Sequence, residues 1–203
     1  MKYGLIVLAG IIIISAYFLI FNNSKPVTNF PSNGENIIAF GDSLIEGVGS
    51  TDGNDLISIL SDRIGEQIIN LGKSGDTTRD ALERIDDVID QDPKIVLVLL
   101  GGNDYLKKIP PTETFENLEI IIEKIHESGS VVLLLGVRGG VLRDNFKDDF
   151  EKISEKHNTG FVSNVLEGLI TNPELMSDLI HPNNMGYLFI ADRVQPKLEK
   201  LIK

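Results

Sequence analysis

From residue 36 onward, unbroken apolar runs take turns with stretches in which apolar residues recur every three or four positions. The runs sit within Ile37–Phe40, Gln67–Leu71, Lys94–Leu100, Val131–Leu135 and Gly160–Val162. They are continuous instead of alternating, which predicts strands covered on both faces. The Lys94–Leu100 segment, with Ile-Val-Leu-Val-Leu-Leu at its heart, predicts the centre of the sheet. Between the runs, Leu56, Ile57, Leu60 and Ile64 fall at helical spacing, as do Leu82, Ile85, Val88 and Ile89, and Leu118, Ile121, Ile122 and Ile125. Such spacing puts an apolar stripe on one side of a helix. Cap-forming residues at Asp76–Asp80 predict a helix running to Gln91, and further helices are predicted over Thr112–Glu127, Asn145–His157 and Met185–Ile202, the last kinked at Pro196.

Strand and helix alternating some five times over short connections is the pattern of a parallel sheet lying between two helical layers. We expect a three-layer α/β/α, flavodoxin-like domain over residues 36–203, with a five-stranded parallel sheet in the order 2-1-3-4-5. The residues ahead of it differ in character. Gly4–Phe21 is an uncharged apolar run of about 18 residues, at the lower limit of what crosses a bilayer. It follows Lys2, and Phe21, Asn22 and Asn23 offer no small-residue cleavage site. Residues 1–25 therefore read as an uncleaved transmembrane anchor, with secretion after signal cleavage as the alternative. With Lys2 and the amino terminus inside, the domain would face the extracytoplasmic side. Residues 26–35, rich in Pro, Asn, Ser and Gly, read as a linker.

Composition narrows the function. A length of 203 residues with 42% hydrophobic content suits one ordinary domain plus an appendage. The formal net charge of −11, with Lys and Arg scattered, argues against a nucleic-acid partner. The absence of cysteine removes disulfides, thiolate metal sites and a cysteine nucleophile.

Candidate chemistry gathers at the strand ends, where an open α/β sheet places its ligands. The first run stops at Gly41-Asp42-Ser43, so a serine stands at the mouth of a strand. Ser43-Leu-Ile-Glu46 also fits a capping box, which makes Ser43 a helix cap on one reading and a nucleophile on another. The loop after the second strand is Gly72-Lys73-Ser74-Gly75-Asp76-Thr77, and the loop after the third is Gly101-Gly102-Asn103-Asp104. The Ser43 and Gly75 backbone N–H groups and the Asn103 amide are the donors an oxyanion would need. Each has a plainer reading, Gly75 as a turn glycine and Asn103-Asp104 as a cap or Asx turn. Of the histidines, His126 and His157 fall near helix ends and read as surface residues, whereas His181 lies in the turn-rich Ser177-Asp178-Leu179-Ile180-His181-Pro182-Asn183. A carboxylate three residues earlier can accept from one imidazole nitrogen and leave the other free to act as a base. Gly72-Lys73-Ser74 lacks the first glycine of a phosphate-binding loop, and Gly47–Gly53 does not fit a dinucleotide fingerprint, leaving a nucleotide or flavin binder as a weak rival. No Gly-x-Ser-x-Gly elbow occurs.

Taken together, Gly41-Asp42-Ser43-Leu44, Ser74-Gly75-Asp76-Thr77, Gly101-Gly102-Asn103-Asp104 and Asp178-Leu-Ile-His181-Pro182-Asn183 resemble, in order, the four blocks of the SGNH, or GDSL-type, hydrolase family. Gly136–Gly140 and Asn172–Asp178 look like its bacterial arylesterase and thioesterase I-like, lysophospholipase-like branch. The resemblance implies a serine esterase acting on small acyl esters, thioesters or lysophospholipids. Its nucleophile would be Ser43, its base His181 and its orienting acid Asp178. Ser43, Gly75 and Asn103 would form the oxyanion hole, with no metal or organic cofactor. An O-acetyl-glycan deacetylase and a non-catalytic, membrane-tethered binding module are alternatives on the same fold. The loops 139–145 and 168–177 are expected to shape the acyl pocket, with Val141, Leu142 and Leu169 as its apolar contacts.

Overall fold

A computed structural model of the chain describes residues 25–138 and 146–203. Its elements follow in the order β1 (Asn36–Gly41), α1 (Ser43–Glu46), α2 (Leu56–Ile64), β2 (Ile68–Gly72), α3 (Thr78–Glu83), α4 (Asp86–Ile89), β3 (Pro93–Leu99), α5 (Gly102–Leu106), α6 (Pro111–Glu127), β4 (Val131–Leu135), α7 (Phe146–His157), β5 (Gly160–Val162), a 3-10 turn (Pro173–Leu175) and α8 (Asn184–Ile202). Among the described residues the strands form one sheet in the order β2-β1-β3-β4-β5 with every pairing parallel, as the run pattern predicted.

The unbroken runs are explained by burial on both faces: Ile37, Ile38, Ala39 and Phe40 of β1 and Val96, Leu97, Val98 and Leu99 of β3 are fully buried. Helix α6 turns Leu118, Ile121, Ile122 and Ile125 inward, and α8 does so with Tyr187, Ile190, Ala191 and Val194. Each such side chain contributes on the order of 1.5–3 kcal/mol when removed from water. Register matters more for function. Gly41 of β1 lies level with Gly72 of β2 on one side and Leu99 of β3 on the other. Three loops therefore leave the sheet side by side at one edge.

Several expectations are corrected. The helix predicted to run to Gln91 is interrupted at Arg84 and Ile85, giving α3 and α4; the Arg84 N–H turns back to the Ala81 and Leu82 carbonyls. Residues 102–106, read as loop, form the short helix α5. The stretch read as a linker is fastened to the domain: Thr28 N–H donates to the Asn158 carbonyl at 2.9 Å and the Asn29 amide donates to the His126 and Ser130 carbonyls at 2.7 and 3.0 Å. These acceptors precede β4 and β5, so the fastening lies at the end of the sheet opposite Ser43. Residues 1–24, and with them the transmembrane anchor read there, lie outside the described residues. Among the described residues no helix is long and apolar enough to cross a membrane.

His126 and His157 are not the solvated residues expected. Their rings stand 6.5 Å apart, and the Nε2 atoms of both are buried without a hydrogen-bond partner among the described residues. Burial, helped by the neighbouring His157, pushes the pKa of His126 down from 6.5 to about 4. Between those values the unfolded chain binds the proton that the folded chain refuses, so this group's contribution to stability falls as pH drops from about 6.5 to 4. Discounted for half exposure, the effect is about 1–2 kcal/mol. Urea midpoints of the wild type and His126→Phe should therefore diverge in favour of the variant between pH 7 and pH 4.5. A gap that stays constant over that range would contradict the account.

Candidate active site

The serine stands where β1 hands over to α1. Asp42, not Ser43, caps that helix, its carboxylate accepting the Leu44 N–H at 3.0 Å. The capping box expected from Ser43 and Glu46 is thus absent, because Glu46 reaches across to accept the Ser74 N–H at 2.6 Å. The hydroxyl of Ser43 is left for another partner. His181 Nε2 lies 3.1 Å from Ser43 Oγ, and His181 Nδ1 lies 2.7 Å from Asp178 Oδ2.

Local chemistry explains why Asp178 and His181 face each other. The other Asp178 oxygen accepts the backbone N–H groups of Ile180 and His181, both at 2.8 Å, an Asx turn that folds the chain back on the carboxylate. Ser177 N–H closes the turn by donating to the His181 carbonyl at 2.8 Å. Hydrogen bonds from the His181 ring and the two backbone N–H groups hold the Asp178 pKa down at about 2, so it is a carboxylate across the neutral and mildly acidic range. Asp42 differs: burial pushes it up to about 7 against the opposing Leu44 hydrogen bond.

The second and third loops bring up the remaining predicted residues. Gly75 has φ +84 with open space where a Cβ would be, so the glycine answers to backbone conformation and not to crowding. Among the described residues the Ser43 and Gly75 N–H groups meet no acceptor. The Asn103 amide donates one hydrogen to the Asp76 carbonyl at 2.9 Å and has a second to offer. Asp104, read as a cap or Asx residue, is a cross-tie: its fully buried carboxylate accepts the Thr78 N–H at 2.9 Å and the Thr78 hydroxyl at 2.6 Å.

A cavity of about 320 Å³ opens beside Ser43 and His181, its wall mostly apolar, including Leu106, Val137, Leu166, Ile170 and Ile180. Among the residues expected to shape it, Leu169 is 1% exposed and packs in the core while its neighbours Leu166 and Ile170 line the cavity. The Leu169 N–H turns back to the Leu166 carbonyl, and in so tight a turn neighbouring residues face different ways, which hydropathy could not resolve. Val141 and Leu142 lie outside the described residues. Among those described, no cluster of three or more His, Asp and Glu side chains could hold a metal ion.

Gly49 belongs to the site's framework and went unread in the sequence, where it figured only in the rejected dinucleotide fingerprint. A Cβ there would lie 2.3 Å from Ser177 Oγ, 2.4 Å from the Pro182 carbonyl oxygen and 3.2 Å from His181 Cβ, and its φ is +97. The segment carrying Asp178 and His181 can approach Ser43 only because this side chain is missing. Tyr187 holds the same loop to α8 by donating to the Val48 carbonyl at 2.7 Å. Gly49→Ala is expected to lower stability by about 1–3 kcal/mol and to reduce turnover, through overpacking and an unfavourable φ. Thermal melts and kcat would check it; an unchanged melting temperature with unchanged turnover would mean the approach is not tight.

Fold and site together define a three-layer α/β/α domain with a hydroxyl, an imidazole and a carboxylate in line at the carboxyl edge of its sheet. The chain matches the GDSL-like Lipase/Acylhydrolase family over residues 39–188 and belongs to it. It is 34% identical over 178 residues to an arylesterase of Vibrio mimicus, covering 82% of this chain and 89% of that protein. It is 28% identical over 177 residues to thioesterase 1/protease 1/lysophospholipase L1 of Escherichia coli (strain K12), covering 83% and 85%. A crystal structure of TesA superposes with a TM-score of 0.76 at 26% identity, covering 82% of this chain and 99% of that one. The protein is an ester-bond hydrolase of this family.

Proposed function

We propose that the chain is a serine esterase that cleaves carboxylic esters or thioesters of apolar acyl groups through an acyl-enzyme. The observation that carries this reading is the Ser43–His181–Asp178 line, with contacts of 3.1 and 2.7 Å, opening into an apolar cavity. His181 Nε2 takes the Ser43 proton as Oγ attacks the acyl carbon, and Asp178 holds the Nδ1 proton and stabilises the imidazolium. The carbonyl oxygen becomes an oxyanion and is met by the N–H groups of Ser43 and Gly75 and by the Asn103 amide. As the tetrahedral centre collapses, His181 gives its proton to the departing alcohol or thiol. Water, deprotonated by His181, then attacks the acyl carbon and releases the carboxylic acid and Ser43.

The apolar wall favours an aliphatic or aromatic acyl chain over the acetyl group of a glycan. Names of relatives, an arylesterase and a thioesterase/lysophospholipase, support the same class of substrate. Each methylene buried adds about 0.8 kcal/mol. The full-length protein is expected to hydrolyse p-nitrophenyl esters with kcat/KM rising with chain length until the cavity is full. No turnover on any acyl length, together with measurable ligand binding, would favour a binding module instead.

The proposed anchor fits the fastening of residues 28–32, which brings the chain in at the end of the sheet away from Ser43. A membrane-held domain would then present its mouth outward. Resistance of the protein to carbonate extraction from membranes checks this; a soluble, shortened form in the extract would refute it.

A further inference from the structure

Arg84 is a largely buried cation that the proposed mechanism leaves unused, with 15% of its side chain exposed. Its guanidinium spans the loops that carry the oxyanion donors. Nε donates to Asp76 Oδ2 at 2.6 Å, Nη1 to the Leu71 carbonyl at 2.9 Å and Nη2 to the Gly41 carbonyl at 2.9 Å. The group also lies over the Phe40 ring, 4.4 Å from its centroid. Gly41 directly precedes Asp42-Ser43, Leu71 leads into the Gly75 loop, and Asp76 directly follows Gly75. The Asp76 carbonyl in turn receives the Asn103 amide. One planar fork thus touches the last residue of β1, the end of β2 and the loop that follows β2, and reaches the loop after β3 through the Asn103–Asp76 hydrogen bond.

The helix predicted to run to Gln91 breaks at this residue, and Arg84 leaves the helical path where its side chain turns under the sheet edge. Buried ion pairs are weak sources of stability by themselves. Two carbonyl acceptors and a stacked ring hold this one in a single orientation, and a fork of fixed geometry is what distinguishes arginine from lysine.

We propose that Arg84 is a positioning residue for the oxyanion hole, setting the spacing of the Ser43, Gly75 and Asn103 donors through Gly41, Leu71 and Asp76. The proposal rests on the assignment of those three groups as oxyanion donors. It differs from a merely structural role because misplacing donors affects the transition state and spares the ground state, so kcat falls while KM holds. A displacement of about 1 Å can cost on the order of 100-fold in rate.

The test uses the full-length protein with Arg84→Lys and Arg84→Met, each alone and combined with Asn103→Ala, assayed on one p-nitrophenyl ester. Arg84→Lys keeps the charge and loses the fork, and it decides the matter if Arg84→Met does not fold. The expected result is a fall in kcat of about 10- to 100-fold with KM within about twofold, and a matching loss of affinity for a boronic-acid analogue of the tetrahedral state. Introduced into Asn103→Ala, the same substitution should cost less than it does in the wild type, because one of the three donors that Arg84 positions is already gone. If kcat of the folded Arg84→Lys protein stays at the wild-type level, or if the losses simply multiply, the proposal is overturned. If Asn103→Ala alone leaves kcat unchanged, the assignment of the oxyanion donors fails, a different failure read from a different protein.

Discussion

Ser43→Ala is expected to lower kcat by about 10⁴- to 10⁶-fold while leaving the melting temperature within a few degrees of wild type. The size follows from what the hydroxyl touches. Among the described residues its single hydrogen-bond partner is His181 Nε2, and Asp42 supplies the α1 cap, so under the proposed mechanism the substitution removes the nucleophile and no structural tie. What survives is the rate enhancement of the hole and the cavity alone. Steady-state kinetics with a p-nitrophenyl ester, alongside thermal melts, measures both quantities. Were Ser43 only a helix cap, the substitution would cost stability and spare turnover, the opposite pattern.

The second large effect is expected at Asp178. Asp178→Asn should lower kcat by about 10⁴-fold at neutral pH. The carboxylate oxygen 2.7 Å from Nδ1 accepts its proton, which leaves Nε2 unprotonated toward Ser43. An amide nitrogen there makes Nδ1 the acceptor, moves the ring proton to Nε2, and removes the base. The pH dependence carries its own sign. With the folded pKa depressed from 3.8 to about 2, the stabilisation that Asp178 contributes is complete above 3.8 and is lost as pH falls through about 2. Any acid limb of the rate profile between pH 4 and 7 therefore belongs to a group other than Asp178. Rate profiles of wild type and variant would show it; a wild-type limb that disappears in Asp178→Asn without loss of the plateau would contradict this assignment.

These effects rest on geometry that was partly legible in the sequence. The parallel sheet covered on both faces followed from periodicity, because continuous apolar runs have few alternatives to it, and the strand order is the one expected of a flavodoxin-like domain. Ser43, Gly75, Asn103, Asp178 and His181 were nameable because each sits in a short local pattern. What escaped was contact between segments far apart in the chain. Glu46 caps Ser74 across 28 positions instead of its own helix, and Asp104 ties Thr78 across 26. Gly49 is required by Ser177 and Pro182, and no local signal marks it. Arg84 falls within the stretch predicted as one helix, and no local pattern marks the ties its guanidinium makes to Leu71 and Gly41, 13 and 43 positions away. Leu169 and the two half-buried histidines were misread for the related reason that hydropathy alone does not say which way a residue near a helix end or in a tight turn faces.

The proposed mechanism requires Ser43 to be acylated in turnover. Incubating the full-length protein with a p-nitrophenyl alkylphosphonate and following intact mass, peptide mass and released p-nitrophenolate tests it most directly. The expected result is one phosphonyl group per chain, located on Ser43, one equivalent of nitrophenolate, and loss of esterase activity in proportion to labelling. Labelling would be absent in Ser43→Ala and slowed in His181→Ala. Full labelling at another residue, or complete inactivation with Ser43 unmodified, would contradict it.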